Sequence, residues 1–317
     1  QYSTALSLAQ AALIQKPNDP VWNLLTARAL LGLRRADDAE RYLRRVVDAR
    51  GASEYHVAWG QYELALPAYA RGDYSRAATL LKLVIMLNSV PQYTRHATER
   101  LHQLGLDTLY AAWTLVETPH LRVRYSPGAP MPDRQAWAQE RERVFQQNSS
   151  FFGGGPRKKI DLLVWPSGDT TGTGMRAFSA WPEMSLIHVG RPDAVDLDIA
   201  RVVIFHAIRP DTITHLIEYG LPAVTHRDAA FWPQMARDAV HLGDPPRLDL
   251  LRLWREETPG RLVYPVSGAF ARYLLEHGGR DRLLKLAREQ TPEAARRIYG
   301  NDFDGLVAEF EREVNGQ

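Results

Sequence analysis

The chain of 317 residues contains no cysteine. Disulfide bonds, thiolate zinc sites and cysteine nucleophiles are therefore excluded, and any bound metal must be held by histidine and carboxylate side chains. The sequence also has no run of about 18 apolar residues, which a membrane-spanning helix would need. The formal net charge is only +2. Nucleic acid is not expected as the main partner, because phosphate binding requires concentrated lysine and arginine.

The remaining composition is that of a folded protein, with 45% hydrophobic and 24% charged residues. A chain of this length exceeds the usual size of a single core, so two domains are expected. The sequence texture changes around Trp113, which predicts domains at 1–112 and 113–317. Because the chain begins with Gln1 and not with methionine, we expect it to be processed or trimmed.

The amino-terminal third repeats itself. The segment ALSLAQAALIQKPND begins at Ala5, and AERYLRRVVDARGAS begins at Ala39, an offset equal to the 34-residue period of tetratricopeptide repeats. A third copy begins at Ala77. In each copy a small residue is followed four and seven positions later by residues expected to pack between helices: Ala9 and Ala12, Leu43 and Val46, Leu81 and Val84.

Two further helices are predicted between these copies, at Val21–Leu33 and Tyr55–Ala70, and each ends in a glycine-containing turn. Residues 1–112 thus resemble a tetratricopeptide array. Gln1 falls within the second helix of a repeat, so further repeats are expected before it. The resemblance implies a concave face that binds a protein or peptide. A spacer or dimerisation arm is an equally open interpretation, because no sequence feature identifies a ligand.

The second domain is predicted to mix strands and helices. Alternating or apolar stretches indicate strands at 119–125, 160–165 and 184–190. A helix is predicted from Asp198, as its cap, to Arg209, where Pro210 ends it. Asp211 could cap a second helix that contains His215 and Glu218. The loop GDTTGTG at 168–174 lacks the Gly-Lys-Ser/Thr ending of a phosphate-binding loop.

This order of elements resembles a gluzincin-type metallopeptidase domain, in particular the peptidase MA-like domains. The resemblance covers Thr118–Asn315 and is carried by six segments: 118–125, 202–206, 220–222, 269–279, 298–300 and 303–311. It implies an α+β fold in which a tetratricopeptide solenoid precedes a zincin-like domain with a small mixed sheet and a helical carboxy-terminal subdomain. Relatives of this architecture are commonly exported, which implies a location in the cell envelope.

The residues of the expected zinc site are nevertheless missing. Active relatives read His-Glu-x-x-His on a helix, with the glutamate as general base. Here His206 is followed by Ala207, and Pro210 stands at the second histidine. The third ligand, a glutamate, aligns with Arg227 or Met235, depending on the anchor chosen. Loss of the base costs about 10²–10⁴-fold in rate. The sequence therefore predicts no catalytic residues, no cofactor and a vestigial active site.

Two functions follow as hypotheses. In the first, the protein is a non-catalytic scaffold that binds a protein or peptide, and Met184, Leu186 and His188 form an exposed sheet edge that adds a strand of the partner. The second is a metal-dependent hydrolase, in which zinc is held by relocated ligands: His206, His215, His226 and Glu218. A lone His206 on an apolar helix face is otherwise a core histidine. A third interpretation is an assembly subunit that packs a partner on its aromatics: Phe231, Trp232, Trp254 and Tyr264.

Overall fold

The computed structural model describes residues 2–129, 131–166, 178–192, 194–210, 213–226, 230–242, 247–255 and 260–316. These residues are mostly helical and include one small mixed sheet, so the predicted α+β class is confirmed. The chain divides into two compact units. Unit 1 comprises Gln1–Ala138 and Arg157–Pro192, and unit 2 comprises Gln139–Pro156 and Asp193–Gln317. The domain boundary after residue 112 stays a prediction.

Six helices open unit 1: α1 (Tyr2–Gln15), α2 (Pro20–Gly32), α3 (Ala36–Val47), α4 (Glu54–Ala70), α5 (Tyr74–Leu87) and α6 (Pro91–Gln103). Each helix packs on the next one, and α4 also contacts both α2 and α6. The even-numbered helices therefore form a layer of their own, which we call the inner layer. Stacked helix pairs of this kind create extended binding surfaces.

The ends of these helices follow local sequence signals. Asp19 caps α2, because its carboxylate accepts hydrogen bonds from the backbone nitrogens of Val21 and Trp22 at 2.9 and 3.2 Å. Pro20 follows as the first helical residue, where its missing N–H costs nothing. The turn between α4 and α5 uses Gly72 with φ 82°, a left-handed conformation that favours glycine.

The residues predicted to pack between the repeat helices are buried in the second and third copies: Ala39, Leu43, Val46, Ala77, Leu81 and Val84. In the first copy the prediction is confirmed only for Ala9, because Ala5 is exposed and Ala12 is only half-buried. Helix α1 packs on α2 through Leu6, Ala9 and Leu13. The buried residues of α1 are therefore those that face its neighbour α2, and they do not follow the repeat register of the internal copies.

The sheet of unit 1 has five strands: β1 (Thr114–Glu117), β2 (Leu121–Tyr125), β3 (Ile160–Val164), β4 (Phe178–Trp181) and β5 (Leu186–Val189). Their order is β1-β2-β3-β5-β4, with parallel pairs in the centre and antiparallel pairs at both edges. The prediction that residues 184–190 form an exposed edge of the sheet is therefore wrong, because β5 lies between β3 and β4. Strand β4 has only four residues, too few for a recognisable strand pattern, so its pairing with β5 was not predicted.

Unit 2 is helical and begins with the part of α7 (Arg134–Phe152) that follows Ala138. The helices after it are α8 (Val195–Ile208), α9 (His215–Gly220), α10 (Phe231–His241), α11 (Leu250–Arg255), α12 (Val263–Glu289), α13 (Pro292–Tyr299) and α14 (Phe303–Asn315). Helix α12 contacts α8, α9, α10 and α13 and forms the centre of the unit. It is broken at Gly279, whose φ is 72°. Helix α8 begins before Asp198, so the prediction that Asp198 caps it is wrong.

Glycines allow the closest approaches around α12. A Cβ at Gly268 would overlap the indole of Trp232, and a Cβ at Gly220 would overlap the backbone oxygen of Ser267. Both positions are closed to any larger residue while the neighbouring helices stay in place. No helix in the described ranges is long and apolar enough to cross a membrane.

Candidate functional site

Aromatic side chains gather on the inner layer of unit 1. Tyr55, Trp59 and Tyr62 are spaced three and four residues apart on α4, so they share one helix face. Tyr93 and His96 meet them from α6. We call these five residues the aromatic patch. Tyr55 is 42% exposed and Trp59 is half-buried, whereas Tyr62 and Tyr93 form the buried floor. The patch is therefore a surface with a rigid base.

The rings of the patch contact one another in defined geometries. The indole of Trp59 stacks on the ring of Tyr93, with centroids 5.9 Å apart and an interplanar angle of 19°. Tyr55 meets both rings edge-on, at 5.9 and 5.4 Å. Tyr62 lies 5.8 Å from Tyr93 and 6.0 Å from His96. Aromatic pairs at such separations stabilise each other by about 0.5–1.5 kcal/mol beyond the area they bury.

Two arginines flank the patch. The guanidinium of Arg28, on α2, lies 5.0 Å from the centroid of the Trp59 ring. That of Arg100, on α6, lies 4.9 Å from the Tyr62 ring and donates a hydrogen bond of 2.5 Å to its hydroxyl. Within the described ranges neither arginine forms an ion pair, and the buried Nε of Arg100 has no hydrogen-bond partner. The surface thus carries two cations that form no ion pair, together with the carboxylate of Glu63, which accepts from the indole of Trp59.

The environment of the patch raises the pKa of two of its tyrosines, Tyr62 and Tyr93. Burial raises the pKa of Tyr62, although the charge of Arg100 opposes the shift. Burial likewise raises the pKa of Tyr93, and its hydrogen bond to Tyr55 adds to the effect. The Tyr93 hydroxyl donates to that of Tyr55 at 3.4 Å. Tyr55 and Tyr62 therefore act as acceptors in these bonds, and their own hydrogens have no acceptor in the described part of the chain.

The exposed surface continues onto α2. Val21 and Leu25 are 44% and 39% exposed and lie one helical turn apart. Arg28 follows Leu25 by three residues, so the same face leads directly to the guanidinium over Trp59. Alternate helices α2, α4 and α6 thus contribute one continuous surface of aliphatic, aromatic and cationic side chains.

Residues 1–59 match the tetratricopeptide repeat family model. The matched range includes α1, α2, α3 and the first turns of α4 with Tyr55 and Trp59. Repeats of this family commonly bind proteins or peptides through their stacked helices. Comparison with curated proteins gives no match, and comparison with solved structures gives none.

The sequence predicted the repeat but not the aromatic patch. The signal was present in α4, where Tyr55, Trp59 and Tyr62 recur at helical spacing. That spacing is equally typical of a buried helix face, and only the packing of α6 shows that Tyr55 stays exposed. Two of the aromatics proposed as a partner surface, Trp232 and Trp254, are instead buried in the core of unit 2.

The vestigial zinc positions lie at the end of α8. His206 occupies its last turn, with its ring edge-on to Phe205 at 5.2 Å, and Pro210 follows the helix end. A Cβ at Gly154 would lie 3.8 Å from Ala207. Met235 is half-buried on α10 and packs on the unit 2 core. Arg227 lies outside the described residues. Neither Ala207 nor Pro210 offers a ligand atom in its side chain, so these positions do not fit a conventional zinc site.

The relocated zinc ligands are not brought together. The ring of His215 stacks on Tyr219 at 5.5 Å, and Glu218 lies 3.7 Å from Arg201, which also pairs with Asp198. His226 instead ends the turn after Leu221–Thr225. Among the residues that the structure describes, no three histidine, aspartate or glutamate side chains converge as metal ligands. His206, His215, His226 and Glu218 therefore do not form the predicted cluster.

The residues predicted for strand addition are interior. Met184 and Leu186 are 3% and 0% exposed, and His188 is 1% exposed. The Nδ1 atom of His188 accepts a hydrogen bond from the indole of Trp165 at 3.1 Å, and its Nε2 lies 2.8 Å from the carbonyl of Gln103, to which it donates. Burial lowers the pKa of His188 to about 4. It is a neutral core histidine with both ring nitrogens satisfied, and it does not bind a partner.

Proposed function

We propose that the protein binds a protein or peptide partner through the inner layer of its repeat helices. The observation that carries this proposal is the aromatic patch flanked by Arg28 and Arg100, two cations without a carboxylate partner. Tryptophan, tyrosine and arginine are the residues that most often dominate the binding energy of protein interfaces. The match of residues 1–59 to a family that binds proteins supports the same surface.

The rigidity of the patch favours binding. Its exposed rings rest on Tyr62 and Tyr93, which are only 9% and 5% exposed. The indole of Trp59 is further held by a hydrogen bond from Nε1 to Glu63 at 3.3 Å. Ordering a side chain on association costs about 0.5–1.5 kcal/mol, and a side chain already held in place avoids most of that cost. The surface is thus organised before a partner arrives.

The proposal is tested by selecting peptides from a displayed random library and measuring their affinities by calorimetry. Tyr55→Ala and Trp59→Ala should each weaken the selected peptides by at least about 30-fold, the effect of losing a dominant contact. Tyr264→Ala is the matched control, since Tyr264 is 43% exposed in unit 2 and Tyr55 is 42% exposed. Peptides that bind the Tyr55, Trp59 and Tyr264 variants equally well would place the binding site elsewhere.

We also propose that the carboxy-terminal part is a degenerate peptidase MA-like domain without catalytic activity. The support is the sequence resemblance, the order of a mixed sheet before the His206 helix, and the residues Ala207 and Pro210. Zinc content of protein purified without a metal-affinity tag tests it. Less than about 0.1 equivalent is expected, since a zinc site needs at least three protein ligands. One equivalent that is lost in His206→Ala would favour the hydrolase.

The envelope location rests on the resemblance alone. Cell fractionation with a cytoplasmic and an envelope marker tests it, and recovery with the cytoplasmic marker would contradict it.

A further inference from the structure

We infer that strand β1 is a second binding surface, which accepts one extended strand of a partner protein in which an acidic residue follows an apolar one. Strand β1 lies at an edge of the sheet, and β2 is its one strand neighbour in the described part of the chain. The inference does not rest on the proposed function, because the aromatic patch takes no part in it. Three observations lead to it: the free backbone groups of β1, its exposure and the cation beside it.

The free backbone groups of β1 belong to Leu115 and Glu117. The backbone nitrogen of Thr118 donates to the carbonyl of Leu121 at 3.0 Å, so these two residues form a hydrogen-bonded pair. Such pairs alternate with non-bonded pairs in an antiparallel ladder, and the register with β2 places Leu115 and Glu117 in non-bonded pairs. Their N–H and C=O groups therefore point away from β2, where the described residues offer them no hydrogen-bond partner.

These backbone groups are accessible. Leu115 is 47% exposed, and Thr114 and Glu117 are exposed as well. A sheet edge with free N–H and C=O groups is a template for a further strand, and peptides that bind in this way gain affinity from main-chain hydrogen bonds. An antiparallel strand would bond to both the N–H and the C=O of Leu115, and likewise to both groups of Glu117. The occupant that fits β1 is therefore a short extended segment.

The side chains around β1 indicate what the added strand carries. An apolar residue directly opposite Leu115 would cover its exposed side chain. The guanidinium of Arg134, at the start of α7, donates to the hydroxyl of Thr114 at 2.5 Å and forms no ion pair within the described ranges. The carboxylate of Glu117 already pairs with Lys159 at 3.3 Å. A carboxylate on the partner residue opposite Thr114 would supply the missing pair, and in an antiparallel strand that residue directly follows the apolar one.

A second copy of β1 does not meet these requirements. A two-fold antiparallel pairing centred on Val116 places Glu117 opposite the exposed Leu115. Centring the pairing on Glu117 sets two like charges directly opposite each other, which is unfavourable. Centring it on Leu115 places Glu117 opposite Trp113, whose backbone N–H already has an acceptor. None of these pairings brings a carboxylate opposite Thr114, so the partner is a different chain.

The probe is the blocked heptapeptide Thr-Thr-Val-Leu-Glu-Thr-Thr, titrated into the isotope-labelled full chain and followed by NMR. The largest shift changes are expected at the backbone amides of Leu115 and Glu117. In the antiparallel register the peptide's leucine lies opposite Leu115, so its N–H points at β1, whereas the N–H of the peptide's valine points away. N-methylation of the leucine should therefore weaken binding at least about tenfold. N-methylation of the valine is the matched control and should change the affinity by less than about twofold.

Two variants of the chain test the same contacts. Leu115→Pro removes the outward N–H and should weaken binding at least about tenfold, while the sheet tolerates proline at an edge position whose N–H faces solvent. Glutamine in place of the peptide's glutamate should cost about threefold, as for an exposed ion pair, and Arg134→Gln should abolish that difference. Unchanged circular dichroism of both variants confirms that a lost affinity reports binding and not folding.

The remaining outcomes are equally decisive. Equal affinities of the two N-methylated peptides, or no binding of the heptapeptide, would overturn the added strand. The reversed peptide Thr-Thr-Glu-Leu-Val-Thr-Thr has the same composition, and equal or tighter binding of it would overturn the stated order of apolar and acidic residues. Shifts of the Leu115 and Glu117 amides with protein concentration alone would assign the edge to a second copy.

One further variant separates this inference from the proposed function. Trp59→Ala should bind the heptapeptide as tightly as the wild type, because Trp59 lies on α4 and not on the sheet. Failure of the heptapeptide leaves the aromatic patch as a binding surface. Display-selected peptides that do not depend on Trp59 would remove the patch and leave the strand site.

Discussion

The two units stabilise their interiors in different ways. Unit 1 buries a charged network around Asp161 of β3, which is 1% exposed. Its carboxylate pairs with Arg122 and Lys158 and accepts hydrogen bonds from the hydroxyls of Tyr69 and Tyr74 at 3.0 and 2.9 Å. Unit 2 instead packs glycines against aromatic rings and backbone around α12. The charged network is thus the feature to test in unit 1, and the close glycine contacts are the feature to test in unit 2.

This difference bears on function. Tyr69 lies in the last turn of α4, the helix of the aromatic patch, and Tyr74 begins α5, whereas Arg122 belongs to β2. The network therefore ties the repeat helices to the sheet by directional bonds. A buried charge is costly to leave unpaired, so only arrangements that complete the network are stable. We expect this to hold α4, and with it the binding surface, in one position.

The largest expected effect is that of Asp161→Ala. Removing the carboxylate leaves the cations of Arg122 and Lys158 buried without their partner, which should lower the free energy of unfolding by about 3–5 kcal/mol. Urea unfolding, with hydrogen exchange read in the β2 and β3 peptides, measures unit 1 directly. Asp281→Ala, at an exposed aspartate in unit 2, is the control and should change little. A loss below about 1 kcal/mol for Asp161→Ala would contradict a network that depends on charge.

The next prediction tests how tightly the core of unit 2 is packed. A Cβ in Gly268→Ala would overlap the indole of Trp232, which is 1% exposed and has no room to withdraw. We expect a loss of roughly 3 kcal/mol from overpacking. Gly305→Ala is the matched control, because nothing lies within 4 Å of its Cβ position in α14. That substitution should stabilise the helix by about 0.5–1 kcal/mol. Similar unfolding midpoints for the two variants would show that unit 2 repacks freely.

The sequence predicted α2 and α4 to within one residue at each end, because helix ends depend on local signals. Gly72, Pro20 and Thr291 mark turns or caps through their own backbone preferences and hydrogen bonds. The repeat register held where a helix has neighbours on both sides, as in α3 and α5. It failed at α1, where packing on α2 alone determines which residues are buried.

The aromatic patch and the network around Asp161 join residues that are distant in sequence, so no local sequence signal predicts them. Tyr69 and Asp161 are 92 positions apart, and the aromatic patch joins helices separated by a whole helix of the chain. The β4 strand, which covers β5, spans only four residues. The sequence likewise did not predict that His188 is buried, because its burial depends on contacts with Trp165 and Gln103. Composition and periodicity describe a single element, whereas these features depend on which elements meet.

A smaller effect extends the comparison to pH. Burial lowers the pKa of His188 in unit 1 to about 4 from its usual 6.5. Protonation therefore favours the unfolded chain. The contribution of the neutral ring is fully present above pH 6.5 and is lost as the pH falls towards 4. Between pH 7 and 5 we expect a loss of about 2 kcal/mol.

Urea unfolding of unit 1 at pH 7, 6 and 5 measures this dependence. His188→Gln keeps a side chain that can accept from Trp165 and donate to Gln103, but it does not titrate in this range. The variant should therefore lose about 2 kcal/mol less than the wild type between pH 7 and 5. An equal pH dependence in both proteins would assign the effect to other groups.

The smallest expected effect is the loss of a helix cap, which tests whether the units differ at their helix ends as well as in their interiors. Asp19 caps α2 in unit 1, and Thr291 caps α13 in unit 2 by accepting from the backbone nitrogen of Ala294 at 3.0 Å. Proline follows each cap, so Asp19→Ala and Thr291→Ala remove the same kind of bond. Each should cost about 1 kcal/mol, measured by hydrogen exchange in its own helix. Equal losses would restrict the contrast between charge and shape to the interiors, whereas a much larger loss at Asp19 would extend it to the ends of the repeat helices.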